Sequence, residues 1–475
     1  MPFLEPRSCF LAIDLGTTDL KVGVVAADDG RLLALERAPA PVAEPERWWA
    51  AVRSLVPIAL GRAGVGATDV RAVCADGHGP TCVPCDADGQ VVAEVVPWSD
   101  GRAATEASEL AAATGLGTWA LSILPAAAWL ERNRSTDAGR VQWYLNSWEW
   151  LALRLSGIAG RTRSAGQLLA DPTEPSLAAV VDPSKTPEGV DAGTVIGGLR
   201  ADVAAELGLE AGTPVVAGLN DAFASCLGIG LLEPGDGYDA GGSAGGFAVY
   251  TDRPVEVPGA FSAAAPVPGR WYVGAVMNAT GRALEWLASS TATSAATLLD
   301  EAAAVPAGAR GLVFLPYLAG ERSPLWDPAA RGAFVGLTLG HRRPELARAV
   351  LESAALALRH VAEPILAAGV PIRELRVSGR PAESPTWNRI KADVTGFPVG
   401  VPAVPEAALV GCAVLSAVAI GFDASIPSAI GRMVRVVDRL EPDMALRPTY
   451  DQLFDVYCRL SRDLLPASHA LASVP

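Results

Sequence analysis

The sequence predicts an α/β protein built as two domains, and three observations carry that prediction. Apolar runs of strand length alternate with segments of helical periodicity along the chain. At 475 residues the chain is longer than one hydrophobic core organises, so two large domains are expected. A turn rich in glycine and hydroxyl side chains lies against an apolar strand twice, at 14–18 and again at 241–246. That recurrence suggests two domains of like construction, 1–245 and 246–475. Half of the residues are hydrophobic and mean hydropathy is +0.27, enough to bury two cores.

In chain order, 10–13 and 20–27 read as buried strands around the first turn. A helix follows at 45–63, with Trp48, Val52, Leu55 and Leu60 on its apolar side. Residues 70–75 are a buried strand, and Asp86-Ala87-Asp88-Gly89 is a hairpin turn. Helices are expected at 101–113 and 141–155, the second setting Trp143, Tyr144, Trp148 and Trp150 among aliphatics. Residues 172–198, rich in Pro, Gly and Asp, read as an exposed connection. A strand at 215–217 leads to a helix starting near Asp221. Beyond residue 245, strands are expected at 247–250, 272–276, 311–315 and 374–377. Helices are expected at 345–367, 385–395, 406–420 and 450–464.

Composition excludes several function classes. A net charge of −14 with no basic run argues against a nucleic-acid or anionic-membrane partner. No apolar stretch reaches membrane-spanning length, and no secretory pattern precedes Asp14, so a cytoplasmic location is the expectation. Seven cysteines, an odd number scattered along the chain, suggest reduced thiols. Cys82 and Cys85 form a lone C-x-x-C with only His78 nearby, too few ligands for structural zinc, and read as buried strand cysteines.

The chemistry-bearing segments sit at strand ends. In the turn Asp14-Leu15-Gly16-Thr17-Thr18, Gly16 lets backbone approach a phosphate, Thr17 and Thr18 donate hydrogen bonds, and Asp14 can hold a hydrated Mg²⁺. An ordinary hairpin with a polar tip is the alternative. Asp221 follows a buried strand at a strand-to-helix turn. There a carboxylate can take the proton of an attacking hydroxyl, or simply cap the helix. His78, in Gly77-His78-Gly79-Pro80-Thr81, is presented where it can meet a polyol hydroxyl. In Trp98-Ser99-Asp100-Gly101-Arg102 the indole can pack on a sugar and the charged pair can bind hydroxyls; a surface Asp–Arg pair is the plainer alternative. The loops 314–324 and 378–388 each follow a strand. The second opens a helix whose amides can meet a phosphate or purine.

In this order, over nearly the whole chain, the segments resemble the FGGY carbohydrate kinases, xylulokinase-like members in particular. The resemblance is carried by Asp14-Leu-Gly-Thr-Thr with Lys21, Trp98-Ser-Asp-Gly-Arg102, Gly218 to Asp221, Gly242-Ser243, Phe314-Leu-Pro-Tyr-Leu, and Gly320-Glu-Arg-Ser-Pro324. It implies two actin-like (ribonuclease H-like) domains with an interdomain cleft, which closes to exclude water. It also implies transfer of the γ-phosphate of ATP, with Mg²⁺, to a hydroxyl of a small-molecule sugar or polyol. Ketoses such as xylulose or ribulose are the expected class, and a homodimer is a family-level expectation. By position, Asp221 is implied as general base, with Asp14 and Asp221 near the metal. Gly16, Thr17, Thr18 and Lys21 are implied at the γ-phosphate, and Gly242 and Ser243 at the phosphates from the second domain. Gly379, Arg380 and Asn388 are implied on the nucleotide side, and His78, Gly79, Trp98, Asp100, Arg102 and Asp221 on the sugar side.

Two departures stand out. The nucleotide loop of the family is close to Gly-Gly-Gly, whereas this chain has Gly379-Arg380-Pro381, and proline offers a phosphate no N–H. Weakened ATP binding, a cation supplied by Arg380, or another donor would each follow. A non-catalytic sugar- or nucleotide-binding relative with a regulatory role is therefore the alternative function. In the sugar-side turn, His78 stands where the family commonly has Gln, and Gly79-Pro80 replaces the Met-His pair typical of xylulokinases.

Overall fold

A computed structural model of the chain describes residues 8–163, 173–242 and 244–474. These residues fall into two compact units. The first comprises 1–230 with 263–268 and 406–435; the second comprises 231–262, 269–405 and 436–475. The first unit is therefore completed by a segment that returns to it after most of the second has been built.

The first unit is organised on a six-stranded sheet. Five of its strands are β1 (Cys9–Leu15), β2 (Asp19–Ala26), β3 (Leu32–Pro39), β4 (Val70–Gly77) and β5 (Pro214–Val216). They lie in the order β3-β2-β1-β4-β5. β1 pairs antiparallel with β2, and β2 with β3. β4 runs parallel to both β1 and β5. Every residue of β1 is buried, as expected of a central strand covered on both faces. On one face lies α1 (Pro45–Ala63), started by Pro45 and stopped at Gly64 in the left-handed conformation, with Trp48, Val52 and Val56 fully buried. α2 (Asp221–Gly228) and α3 (Ala407–Ala419) also belong to this unit.

The second unit repeats the plan. β6 (Asp236–Gly241) pairs antiparallel with β7 (Gly245–Thr251), which pairs antiparallel with β8 (Trp271–Met277). β6 also runs parallel to β9 (Glu374–Val377), and β9 parallel to β10 (Val399–Pro402). The order β8-β7-β6-β9-β10 matches β3-β2-β1-β4-β5 of the first unit in both sequence and strand direction. The recurrent glycine-rich turn thus lies between corresponding strands, β1/β2 and β6/β7.

Three elements differ from expectation. Within 141–155, Trp143–Leu145 is a strand paired with Val83–Cys85, and the helix spans Ser147–Ser156. Asn146 precedes it with Glu149 at the third position, a capping box that sets the start; Glu149 accepts the Asn146 amide at 2.7 Å. The 172–198 region is more than a connection, since Val195–Gly198 joins the sheet beside β5. At the C-terminus, the helix Arg447–Asp463 is followed by a further one, Leu465–Ala472. Among the described residues no helix is long and apolar enough to cross a membrane.

Candidate active site

In the first unit the ends of β1 and β4 and the start of α2 meet. His78 donates its amide to the Leu15 carbonyl (2.8 Å), and Gly77 donates to Leu219 (3.2 Å). Gly77 also bridges to Asn220 in parallel fashion. The approach depends on Gly218, where a Cβ would stand 1.8 Å from the Ala75 carbonyl oxygen. Asn220 caps α2 by accepting the Ala222 amide (3.1 Å), which leaves Asp221 in the first turn, where the helix dipole favours negative charge. Asp221 accepts the same amide at 2.8 Å. Burial, followed by the repulsion of Asp14, pushes its carboxyl up to about 6.

A row of charges crosses the sheet through Asp14. Arg37, Lys21, Asp14 and Asp76 are direct cross-strand partners on β3, β2, β1 and β4, so their side chains share one face. Lys21 Nζ lies 2.9 Å from Asp14 Oδ2 and 3.0 Å from Glu406 Oε2, and Glu406 also pairs with Arg37. Burial pulls the Lys21 pKa down, but the two carboxylates outweigh it and hold the ammonium charged. Among the described residues Asp76 is ion-paired with no cation. It is fully buried and takes a contact from Cys412 Sγ at 3.2 Å. Burial, then Asp14 and Asp221, raise its carboxyl well above the usual range. Gly16 spends its amide on the Asp19 carbonyl (3.0 Å), which closes the turn. The Thr17 and Thr18 hydroxyls carry no hydrogen bond to the described residues; Thr17 is half-buried and Thr18 exposed.

On the other face, His78 is buried against Trp48 of α1, ring centroids 5.4 Å apart and edge-on. Its Nδ1 lies 2.9 Å from Thr81 Oγ1, and its Nε2 has no partner among the described residues. Burial lowers its pKa to about 4, so the ring is neutral at pH 7. Gly79 lies against Trp148, where a Cβ would sit 2.7 Å from the indole. Trp98 is 38% exposed, while Arg102 is locked into an ion triad. Its guanidinium meets Asp100 Oδ2 at 2.7 Å and Glu94 Oε1 at 2.7 Å, and its face covers Trp129 at 5.0 Å. A cavity of about 580 Å³ opens between this loop and the first turn of α1, lined among others by Glu44, Glu46, Arg47, Glu94, Asp100 and Arg102.

In the second unit the loops after β6 and β9 press together. A Cβ on Gly241 would lie 2.0 Å from the Ser378 carbonyl oxygen, and one on Gly379, at φ +67°, would lie 2.1 Å from that of Gly241. A small recess here is lined by Asp239, Gly241, Gly242, Thr280, Pro381 and Trp387. Lys391 and Asp239 form a buried ion pair beneath it. Arg380 is exposed. Asn388 is buried and donates to the Ala382 carbonyl at 2.7 Å, which builds its side chain into the turn. Ser243 lies outside the described residues.

Glu321 of the Gly-Glu-Arg-Ser-Pro segment is 3% exposed and accepts the amides of Asn278 and Arg322, both at 2.8 Å, on Oε1. Burial pushes its pKa up to about 7. The unfolded chain releases this proton near 4.5, so folding takes up a proton between those values. The stability contributed by the protonated form is complete below 4.5 and lost as pH rises through 7. Glu321→Gln keeps the accepting oxygen without that loss. Its melting temperature should match the parent near pH 5 and exceed it by a few degrees near pH 8 in calorimetric scans; equal values at both would refute the assignment.

Asp76, Glu406, Asn146 and Lys391 were not singled out in the sequence. Only Asn146 carried a local signal, the Asn-x-x-Glu capping box. Residues 9–228 match the N-terminal domain of the FGGY family of carbohydrate kinases, and residues 240–420 match its C-terminal domain. A xylulose kinase of Escherichia coli (strain K12) is 29% identical, over 96% of this chain and 99% of its own. A gluconokinase of Bacillus subtilis (strain 168) is 26% identical over 80% of each chain. The crystal structure of a xylulose kinase from Rhodospirillum rubrum is 31% identical, covers 97% of this chain and 100% of its own, and superposes with a TM-score of 0.80. The chain therefore belongs to the FGGY family of carbohydrate kinases, with the two-domain actin-like fold of that family.

Proposed function

We propose that this protein transfers the γ-phosphate of ATP to a hydroxyl of a sugar or polyol, with Asp221 as general base and a ketose such as xylulose or ribulose as the first acceptor to test. The observation that carries the proposal is the placement of Asp221 in the first turn of α2, where burial, and then Asp14, raise its pKa. Enzymes of this family use ATP with Mg²⁺. The donor set fits that metal: Asp14 and Asp221 offer hard carboxylate oxygens, yet among the described residues no three side chains form a ligand cluster. Such a site suits a cation that keeps most of its waters and shares phosphate oxygens. When bound, Mg²⁺ would supply neutralisation of phosphate charge.

The chain's own residues do the rest. Asp221, at about 6, is ionised near neutrality and basic enough to accept the acceptor hydroxyl's proton. Lys21 is committed to Asp14 and Glu406, so it acts by holding the turn, while the Thr17 and Thr18 hydroxyls face the phosphate. His78, Gly79, Trp98, Asp100 and Arg102 orient the sugar. In the second unit Gly242, Ser243, Gly379, Arg380 and Asn388 serve the nucleotide. Catalysis is then mainly positioning and charge stabilisation. ADP release with MgATP across ketoses, aldoses and polyols tests the proposal; stimulation by no acceptor would refute it.

Pro381 packs against Gly241, where a Cβ would approach its Cδ to 3.2 Å, and this favours a second reading of weakened nucleotide binding and a regulatory role. Under the kinase reading, Pro381→Gly restores an N–H and should tighten MgATP binding several-fold in calorimetry. Failure of the parent protein to bind MgATP would favour the regulatory reading.

A further inference from the structure

The glycine-rich turn after β6 rests on a buried ion pair. β6 holds the place in its sheet that β1 holds in the first unit, and each carries an aspartate two residues before the first glycine of its turn: Asp14 before Gly16, Asp239 before Gly241. Each aspartate meets a lysine. Lys21 reaches Asp14 from the neighbouring strand, whereas Lys391 reaches Asp239 from the helix Pro385–Thr395. Lys391 and Asp239 are 2% and 4% exposed, and Lys391 Nζ lies 5.3 Å from the centre of the Trp387 ring. Among the described residues lining the recess at Gly241 and Gly242, these two are the only charged ones. The free volume of the recess, about 10 Å³, admits a single water, so a phosphate cannot enter it and must lie outside, at the turn. The walls give such a group little backbone donation. Gly242 spends its amide on the Ala240 carbonyl (2.9 Å), Gly379 spends its own on the Pro405 carbonyl (2.9 Å), and Pro381 has none. The charge behind the turn therefore matters. Asp239 alone would set a desolvated carboxylate behind the phosphates, and Lys391 cancels it.

We propose that Lys391 is a positioning residue of the nucleotide site, whose ammonium neutralises Asp239 and so lets the turn at Gly241-Gly242 accept a nucleoside polyphosphate. Lys391 acts on the phosphates through Asp239 and the turn, and binding of the adenosine end does not depend on it. The inference rests on the kinase reading, in which this turn and the 378–388 loop serve the nucleotide.

Calorimetric titration of the full chain with MgADP and with adenosine separates the phosphate share of binding from the rest. Lys391→Met keeps the apolar stem and leaves Asp239 uncompensated. MgADP should then bind about tenfold more weakly, while adenosine affinity stays within about threefold of the parent. Asp239→Asn keeps an oxygen for the ammonium and leaves Lys391 uncompensated, so MgADP should bind about fivefold more tightly. The double variant should return MgADP affinity to within about threefold of the parent. Should Lys391→Met fail to fold, as loss of one member of a buried pair can cause, Asp239→Asn still decides, because disruption does not tighten binding. Weaker MgADP binding in Asp239→Asn, with or without loss of adenosine affinity, reduces the pair to a structural strut and overturns the inference. MgADP affinity unchanged in both single variants overturns it as well. Either result leaves the kinase reading standing. A parent chain that binds no MgADP overturns that reading, and the inference falls with it.

Discussion

Asp221→Asn is expected to lower kcat by about 10²–10⁴-fold while leaving the fold and nucleotide affinity close to those of the parent. The amide is isosteric, and its oxygen can still accept the Ala222 amide that Asp221 accepts at 2.8 Å, so the first turn of α2 keeps its geometry. What is lost is the proton acceptor. Asp221 has carboxylate basicity raised to about 6 by burial and by Asp14, and an amide has none. Steady-state ADP release with a saturating acceptor measures the effect, and calorimetric titration with MgATP checks that binding persists. A kcat within tenfold of the parent would remove Asp221 from the role of base. A matching loss of nucleotide affinity would instead place it on the binding side.

Gly411→Ala is expected to destabilise the first unit by about 3 kcal/mol and to reduce turnover with it. α2 and α3 cross backbone against backbone. A Cβ on Gly411 would stand 1.9 Å from the Ala224 carbonyl oxygen, and one on Gly228 would stand 1.7 Å from that of Ala407. These are fixed carbonyls, so added methyls must push the helices apart. α3 also carries chemistry: Glu406 immediately precedes it and holds Lys21 and Arg37, while Cys412 on it meets Asp76. Separation of the helices therefore loosens the clamp on Lys21, and with it the turn that presents Asp14. Thermal unfolding followed by circular dichroism, alongside kcat, tests this. An unchanged melting temperature would show that the crossing yields at little cost.

Much of the site was legible because it is local. The turn after β1, the strand before Asp221 and the glycine-rich return after β6 each announce themselves within about ten residues, since a buried strand needs an apolar run and a tight turn needs glycine or hydroxyl side chains. The same locality misled at 141–155. There, aliphatic and aromatic residues suit strand and helix alike, and pairing with Val83–Cys85 decided for strand over Trp143–Leu145. In 172–198, turn residues hid Val195–Gly198, which is held in the sheet by its partner β5 rather than by its own composition.

The sequence by itself determined the α/β class, the repeated turn, the family resemblance and the residues that could carry phosphoryl transfer, because each is written in contiguous residues. Only the tertiary structure decided how those residues are held and charged. Glu406 reaches Arg37 across 369 positions, and Cys412 reaches Asp76 across 336. No local pattern encodes such pairings, since they arise when β1, β2, β3 and β4 align in register and α3 returns to cover them. Whether Arg102 stands as an open cation or is spent on Asp100 and Glu94, and whether His78 is charged or neutral, follows from burial and proximity, which exist only once the chain has folded.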